Sequence, residues 1–295
     1  MLSQVVDYKN EYSIPSNLKY GVPQGSILGP LLFIIYINDI TNASNLMHYS
    51  IFADDLNLLK TGRCIDDIIR KMNIELDKIY TWIEYNKLSL NQLKLVAMIF
   101  GNSLSQNLYL PVKINDIIIP FSFKVKFLGL ILDKKLKWNF HIAHIVSNIS
   151  KFCGVLYQVR TKLILSAFKS LYFSLVYSRL IYCVSIWGGA FEKYVRIVST
   201  AQNRVLRSFF GMRKQESVRE VYSMLDLLRF TQIYKLYSGL LLFKFHNLKY
   251  CDQVFRHVNQ VHNRPTLKPN RHKSSLSLVI IRRAYFLVVI DRLCA

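Results

Sequence analysis

The chain has 295 residues, of which 52% are apolar and 13% aromatic. At about 150 residues per domain this length allows two modest domains or one large one, and the apolar content excludes a wholly disordered or collagen-like polymer. Lysine and arginine number 39 against 18 aspartate and glutamate residues, which gives a formal net charge of +21. This excess favours a polyanionic partner, most commonly nucleic acid, although contact with a membrane surface or a solubilising surface would also account for it.

The positive charge is concentrated in the second half of the chain, where residues 151–295 carry 24 basic and 6 acidic side chains. The first residues lack the basic start and apolar stretch of a secretory signal, and charges interrupt every long apolar run. Five scattered cysteines without a CxxC pair argue against a disulfide framework or a paired-cysteine zinc site. The sequence therefore predicts an intracellular protein, nuclear or cytoplasmic, that is not secreted and has no membrane-spanning helix.

The first ninety residues predict a loop, two helices and a hairpin. Between Leu18 and Leu59 the segments GVPQGSILGP and ADD interrupt apolar runs, which indicates a loop, a helix over about 31–40 and a hairpin turn near Ala53 to Asp55. Asp66 and Asp67 then precede apolar residues at nearly helical spacing. Because carboxylates are favourable at a helix N-terminus, we expect a second helix there with a solvated acidic first turn.

Residues 95–133 change to the pattern of strands. The segments LVAMIF, VKINDIIIP and VKFLGLILD are short, rich in branched and aromatic side chains, and bounded by turn residues. After Trp138 apolar residues recur every three or four positions up to Val159, and we expect further helices over 163–187, 195–210 and 217–248. Ser217 and Glu220 have the spacing of a capping box. Trp138, His141 and Trp187 are assigned to packing or capping.

Asp54 and Asp55 differ from the acidic pair at residues 66 and 67 in their surroundings. Apolar residues flank them on both sides, so the two carboxylates would emerge at the tip of two buried strands. A charge in such a place requires a metal ion or another partner. A divalent cation would meet that requirement.

Four segments together resemble the palm of a reverse transcriptase from non-LTR retrotransposons of the jockey-like type. GVPQGSILGP is similar to the family's substrate-adjacent loop and helix, and FADD to its metal-binding hairpin. LSLNQLKLVAMIF resembles the next palm segment, and FLGLILDKKLKWNFHI resembles the primer-grip hairpin that leads into a helical thumb. The resemblance implies an α+β fold, namely a partial reverse-transcriptase palm of antiparallel strands with helices, followed by an all-helical thumb and a basic tail. The expected domains are residues 1–140 (palm), 141–248 (thumb-like) and 249–295 (a basic, loosely ordered tail with one apolar end).

The resemblance also implies the roles of individual residues. Asp54 would be a direct Mg²⁺ ligand, with Mn²⁺ as a substitute, and Asp55 a weaker or indirect ligand. Lys94 would approach the triphosphate, although Leu95 stands where the family usually has threonine and a surface lysine is an equal alternative. The other implied site residues are the substrate-binding Gln24, Gly25, Ser26, Phe52 and Ala53, and the primer-grip Phe127, Leu128 and Gly129. An ordinary turn at Gln24 and Gly25, and plain strand packing at 127–129, are the structural alternatives.

The implied partners are an RNA template, a DNA primer and deoxynucleotide triphosphates, with no membrane. The family also needs an aspartate on a first palm strand several dozen residues before GVPQGS, whereas twenty residues precede Gly21 here. Those residues, with Asp7 and Glu11, resemble the hairpin just upstream of the loop. We therefore expect a polymerase fragment that is inactive by itself, because the two-metal site loses one carboxylate. A non-catalytic basic nucleic-acid-binding remnant and a translated fossil without a role are the alternatives.

Overall fold

The structure is a computed structural model that describes residues 3–17, 25–62, 64–100, 110–247, 284–290 and 293–294. It divides into two compact units, which are described separately. Unit 1 comprises residues 1–125 and 282–295, and unit 2 comprises residues 126–281. The sequence predicts a palm that ends at residue 140 and a separate tail over residues 249–295, whereas the two units meet at residue 125 and residues 282–295 belong to unit 1.

Short antiparallel strands and helices alternate in the first part of the chain, and helices dominate the second. The strands are β1 (Ser3–Gln4), β2 (Asp7–Tyr8), β3 (Glu11–Tyr12), β4 (Ser16–Asn17), β5 (His48–Phe52), β6 (Asp55–Gly62), β7 (Ser89–Leu90), β8 (Leu95–Phe100), β9 (Val112–Ile114), β10 (Ile117–Ile119), β11 (Lys124–Phe127), β12 (Leu130–Asp133), β13 (Ala284–Ile290) and β14 (Leu293–Cys294). The helices are α1 (Gly29–Ile37), α2 (Ile65–Tyr85), α3 (Asn139–Val159), α4 (Leu165–Tyr172), α5 (Ser178–Ile181), α6 (Val184–Trp187), α7 (Glu192–Phe210), α8 (Arg219–Met224) and α9 (Phe230–Asn247). The mixed helix-and-strand class expected from the sequence is confirmed.

A four-stranded sheet with the order β5-β6-β13-β8 forms the centre of unit 1. Strand β13 runs antiparallel to both neighbours, and Val288 lies opposite Leu58 on one side and Ala97 on the other. All three side chains are buried. Strands that are covered in this way are typically apolar throughout, as the sequence AYFLVVI of β13 is.

The expectation of a loosely ordered tail therefore needs correction for residues 284–290. Its apolar end is the third strand of the sheet rather than an appendage. The sequence offered no sign of this because the partners of the strand, β6 and β8, lie about 230 and 190 residues earlier. The basic, proline-containing part of the proposed tail lies outside the described residues.

Helix α2 packs one apolar face against β6 and β9, as its periodicity predicts. Five side chains of that face are fully or almost fully buried: Ile68, Ile69, Met72, Leu76 and Ile79. The first turn carries Asp66 and Asp67, and Lys71 forms an exposed ion pair with Asp67 at 2.9 Å. The acidic first turn thus stabilises the N-terminus of α2 and faces solvent, as expected.

Unit 2 is a helical assembly in which α3 and α7 pack along each other and α9 contacts α6 and α7. Its largest fully buried side chains are Trp187, Tyr172, Phe168 and Phe230. The His141 ring lies 5.4 Å from the Trp187 ring in a T-shaped arrangement, and Trp187 stacks on Phe230 at 5.1 Å. The packing roles expected for His141 and Trp187 agree with this aromatic core.

Two of the expected helices of unit 2 are interrupted. The segment 163–187 contains a π-helical turn (Phe173–Tyr177) and a break where Cys183 takes a φ of +50°. The segment 217–248 is split into α8 and α9. Ser217 forms no capping box with Glu220, because its hydroxyl accepts a hydrogen bond from the backbone N–H of Arg219 at 3.3 Å instead. Within the described ranges, no helix combines the length and the apolar character needed to span a bilayer.

Candidate active site

The β5–β6 hairpin carries the two adjacent carboxylates at its tip. Phe52 and Asp55 form the last strand pair, so Ala53 and Asp54 make a two-residue turn. Ala53 has a φ of +50°, in the left-handed region that tight hairpin turns require and that a residue with a Cβ adopts at some cost. The turn predicted near Ala53 to Asp55 is therefore present.

Buried strand residues hold this tip in place. Leu56 and Leu58 follow the carboxylates on β6 and are fully buried. Asp54 and Asp55 themselves are half-buried, and Phe52 is 62% exposed. The hairpin thus presents a large apolar ring and two carboxylates at the end of a strand whose remaining part is anchored in the core. Carboxylate oxygens are the hard ligands that Mg²⁺ prefers, so this donor set suits part of a magnesium coordination sphere.

Lys94 lies at the same end of the sheet as the carboxylates. Ile290 of β13 pairs with Leu56 on one side and with Leu95 on the other. Asp55 and Lys94 immediately precede these two partners, and two strand spacings, or about 10 Å, separate the backbones of Leu56 and Leu95. The structure thereby brings together residues that the sequence places forty positions apart, and β13 is the strand between them.

The loop before α1 is described from Gly25 onward, and Gln24 lies outside the described residues. Gly25 has a φ of +87°, and a Cβ built there would meet no atom within 4 Å. The hydroxyl of Ser26 accepts a hydrogen bond from the backbone N–H of Gly29 at 3.0 Å and so supports the first turn of α1. Glycine at residue 25 satisfies a backbone requirement, and Ser26 has a structural contact irrespective of any ligand.

Phe127, Leu128 and Gly129 lie at the tip of the β11–β12 hairpin. Leu128 and Gly129 have φ values of +44° and +81°, which is the pattern of a type I′ two-residue turn. The Tyr182 hydroxyl donates a hydrogen bond to the Leu128 carbonyl. A Cβ on Gly129 would lie 3.2 Å from Cε1 of Tyr182. Tyr182 thus supports this turn, a role that no local pattern in the sequence indicated.

The candidate residues accordingly fall into separate parts of the molecule. The carboxylate hairpin and Lys94 share one sheet end in unit 1, whereas Leu128 and Gly129 belong to unit 2. Within the described ranges, no group of three or more His, Cys, Asp or Glu side chains is arranged to hold a metal ion.

Comparison with known proteins places these segments in a family context. Residues 1–132 match the family described as "Reverse transcriptase (RNA-dependent DNA polymerase)". The chain is 27% identical over 218 residues to "Probable RNA-directed DNA polymerase from transposon BS" of Drosophila melanogaster, covering 69% of this chain and 24% of that protein. It is 26% identical over 280 residues to "Probable RNA-directed DNA polymerase from transposon X-element" of the same species, covering 91% and 30%.

A third relative is "RNA-directed DNA polymerase from mobile element jockey" of Drosophila funebris, 28% identical over 206 residues, covering 66% of this chain and 22% of that protein. The chain thus spans about a quarter to a third of the length of these curated relatives. No solved structure matches it. The resemblance inferred from the four segments is confirmed: residues 1–132 match the reverse transcriptase family, and most of the chain is similar to RNA-directed DNA polymerases of jockey-like non-LTR retrotransposons.

Proposed function

We propose that the chain is the carboxyl-terminal part of the palm, together with the thumb, of an RNA-directed DNA polymerase of a non-LTR retrotransposon. Its template is RNA, its primer is DNA and its substrates are deoxynucleotide triphosphates. The observation that carries this proposal is the hairpin tip at Asp54 and Asp55, which stands at one sheet end beside Lys94 within a segment similar to reverse transcriptases.

The hairpin would hold a divalent cation, Mg²⁺ or Mn²⁺, through Asp54, with Asp55 as the weaker ligand. Bound there, the cation neutralises the charge that develops during phosphoryl transfer. The fit rests on the chemistry of two carboxylates at the exposed tip of an anchored strand.

The remaining residues position the substrate. We assign Gln24, Gly25 and Ser26 to the border of the incoming nucleotide, with Phe52 and Ala53 beside it at the hairpin. Lys94 would stabilise the departing pyrophosphate as a charge or a proton donor. The turn at residues 127–129 would orient the primer end, because phosphoryl transfer depends largely on positioning.

The 295 residues on their own should not polymerise, because two adjacent carboxylates supply fewer ligands than the resemblance requires. The test is primer extension on an RNA template with Mg²⁺, using this chain and a chimera in which the upstream part of the X-element polymerase precedes Gly21. We expect extension by the chimera alone and at least a hundredfold loss on Asp54→Asn.

The matched control is Asp66→Asn, which removes one carboxylate of the other adjacent acidic pair, in the first turn of α2. It should leave extension unchanged. Extension by the unmodified 295-residue chain that Asp54→Asn abolishes would overturn the proposed inactivity. A chimera whose activity survives Asp54→Asn would overturn the site assignment.

A second candidate function is non-catalytic binding of nucleic acid by unit 2. Residues 126–247 carry 19 lysine and arginine side chains against 5 aspartate and glutamate side chains. An excess of this size on a unit that folds around its own core favours contact with a phosphate backbone. Salt-dependent binding by the full chain that Asp54→Asn does not alter, without polymerisation by the chimera, would favour this function.

A further inference from the structure

A polar cleft of about 340 Å³ lies between α7, α8 and the start of α9 in unit 2. We call it the arginine cleft after Arg207, Arg219 and Arg229, which line it. Asn203 and Tyr222 are among its other residues, and none of the ten lining residues is an aspartate or a glutamate. Its size is at the lower end of the range for ligand cavities, which suits a small group rather than a folded partner.

The buried Gln202 side chain fixes one wall of the arginine cleft. Its Oε1 accepts a hydrogen bond from the backbone N–H of Phe230, and its Nε2 donates to the Leu228 carbonyl, both at 2.9 Å. Nε2 also donates to the Tyr172 hydroxyl at 2.7 Å. Arg229 lies between the two backbone groups that Gln202 holds, so the backbone carrying its exposed side chain is fixed by a largely buried network.

The opposite wall is fixed from α7. Arg207 donates from Nε and Nη2 to the Glu216 carbonyl at 3.1 and 2.9 Å, which holds the segment that leads to Ser217 and Arg219. These two bonds use two of the five N–H donors of the Arg207 guanidinium. Glu216 accepts both bonds through its backbone carbonyl and not through its carboxylate. The positive charge of Arg207 is therefore not paired with a carboxylate in this contact.

Tyr222 connects the two walls. Its hydroxyl donates to Oδ1 of Asn203 at 2.9 Å, and the Arg229 guanidinium carbon lies 5.3 Å from its ring centroid. Burial and the neighbouring Tyr172 raise the pKa of Tyr222, while Arg229 and Arg207 act in the opposite direction. The phenol therefore stays a neutral hydrogen-bond donor, and the base of the cleft adds no negative charge.

We propose that the arginine cleft binds phosphodiester groups along one strand of a nucleic acid. Three guanidinium groups, each with a planar fork of N–H donors suited to phosphate oxygens, line a cleft whose backbone is preorganised. The basic excess of residues 126–247 favours a polyanion as the ligand. This inference takes only the class of partner, nucleic acid, from the proposed function. The cleft would contact the phosphate backbone of the nucleic acid through residues other than those of the carboxylate hairpin.

The test measures binding of a fluorescein-labelled, mixed-sequence 20-nucleotide RNA strand to the full chain as a function of salt. The variant is Arg219→Gln with Arg229→Gln, because both side chains are exposed and neither holds the fold through a side-chain hydrogen bond in the described residues. We expect at least a tenfold weaker affinity. The salt slope should fall by about 1.4, at about 0.7 for each lost phosphate contact.

The matched control removes the same charge from the same unit outside the cleft, as Arg204→Gln with Lys235→Gln. Both residues are exposed, on α7 and α9. Less than a twofold effect of this control supports the proposal. Equal losses in the two variants would show a diffuse electrostatic surface and would overturn it, as would unchanged binding in the cleft variant or no binding by the original chain.

Two additions separate this proposal from its alternatives. Vesicles with 30% phosphatidylserine replace the RNA in a parallel titration, and a loss confined to vesicle binding would overturn the proposal in favour of a membrane surface. Asp66→Asn, which changes a carboxylate in the first turn of α2 outside both proposed sites, should leave RNA affinity unchanged. If the primer-extension test fails but the cleft variant binds RNA more weakly, the polymerase proposal is refuted and the cleft proposal is supported. If primer extension succeeds but the cleft variant binds RNA normally, only the cleft proposal is refuted.

Discussion

Unit 1 and unit 2 depend on contacts of different range along the chain. The sheet of unit 1 is completed by β13, which pairs with strands that lie about 190 and 230 residues earlier, whereas the described helices of unit 2 lie within residues 139–247. The carboxylate hairpin therefore stands on a sheet completed by a remote segment, and the arginine cleft stands on a locally assembled core. The two proposed ligand contacts should consequently respond differently to perturbation.

Val288→Asp should produce the largest difference in stability between unit 1 and unit 2. Val288 is fully buried between Leu58 and Ala97, so a carboxylate there would be an unpaired charge in the sheet. We expect a loss of about 4 kcal/mol or more from unit 1. Hydrogen exchange should show lost protection in β6 and β8 and retained protection in α3 and α7.

The control for this experiment is Ile118→Asp on β10, whose side chain is 64% exposed, and it should leave exchange in β6 and β8 nearly unchanged. Retained protection of β6 in Val288→Asp would show that β13 is dispensable. Loss of protection in α3 and α7 as well would show that the two units do not unfold separately.

The buried His141 should make the stability of unit 2 sensitive to acid. Burial, with a smaller contribution from His144, lowers the pKa of His141 to about 4. The folded state therefore keeps the ring neutral while the unfolded state takes up a proton below about pH 6.5. The stability that the neutral His141 ring contributes is therefore complete above pH 6.5. The free energy of unfolding declines as the pH falls towards 4, by about 2 kcal/mol after allowance for solvent screening.

Denaturant unfolding of α3 and α7 at several pH values would measure this decline. His141→Gln should flatten it between pH 6.5 and 4, whereas His144→Gln, which changes an exposed histidine on the same helix, should retain it. An unchanged decline in His141→Gln would contradict the assignment to this ring.

Tyr182→Phe should have the smallest effect, because it removes only the hydroxyl that donates to the Leu128 carbonyl. We expect a local loss of about 1 kcal/mol at the β11–β12 turn and little change in global stability. Faster amide exchange at Leu128 and Gly129 would report it. Tyr157→Phe, which alters a tyrosine that is 55% exposed, should not accelerate that exchange, and equal acceleration in both variants would refute the supporting role of Tyr182.

Local periodicity predicted the elements that depend on neighbours in the sequence. It placed α1, the hairpin at Ala53 to Asp55, α2 and α3, because their apolar spacing and turn residues are themselves local signals. It missed the interruptions at Cys183 and between α8 and α9, where tertiary packing overrides a continuous apolar pattern.

The two proposed sites also differ in how far local sequence signals predicted them. The carboxylate pair was predictable from its apolar flanks, but its proximity to Lys94 depends on β13, and the sequence of β13 does not specify its partners. The arginine cleft was missed because Arg207, Arg219 and Arg229 lie in three different elements or loops. Gln202 and Tyr222 bring them together through partly buried hydrogen bonds that have no sequence signature.

The position of β13 also has a consequence for biosynthesis. A ribosome delivers β6 and β8 long before residue 290, so during translation each of these strands has an unsatisfied edge while the described helices of unit 2 are synthesised. The described helices of unit 2 can fold while the chain is being synthesised, but the sheet of unit 1 cannot be completed until β13 has been synthesised. Premature termination after residue 247 would therefore release a polypeptide that contains the described helices of unit 2 but has an open sheet edge, a natural target for chaperones and proteases.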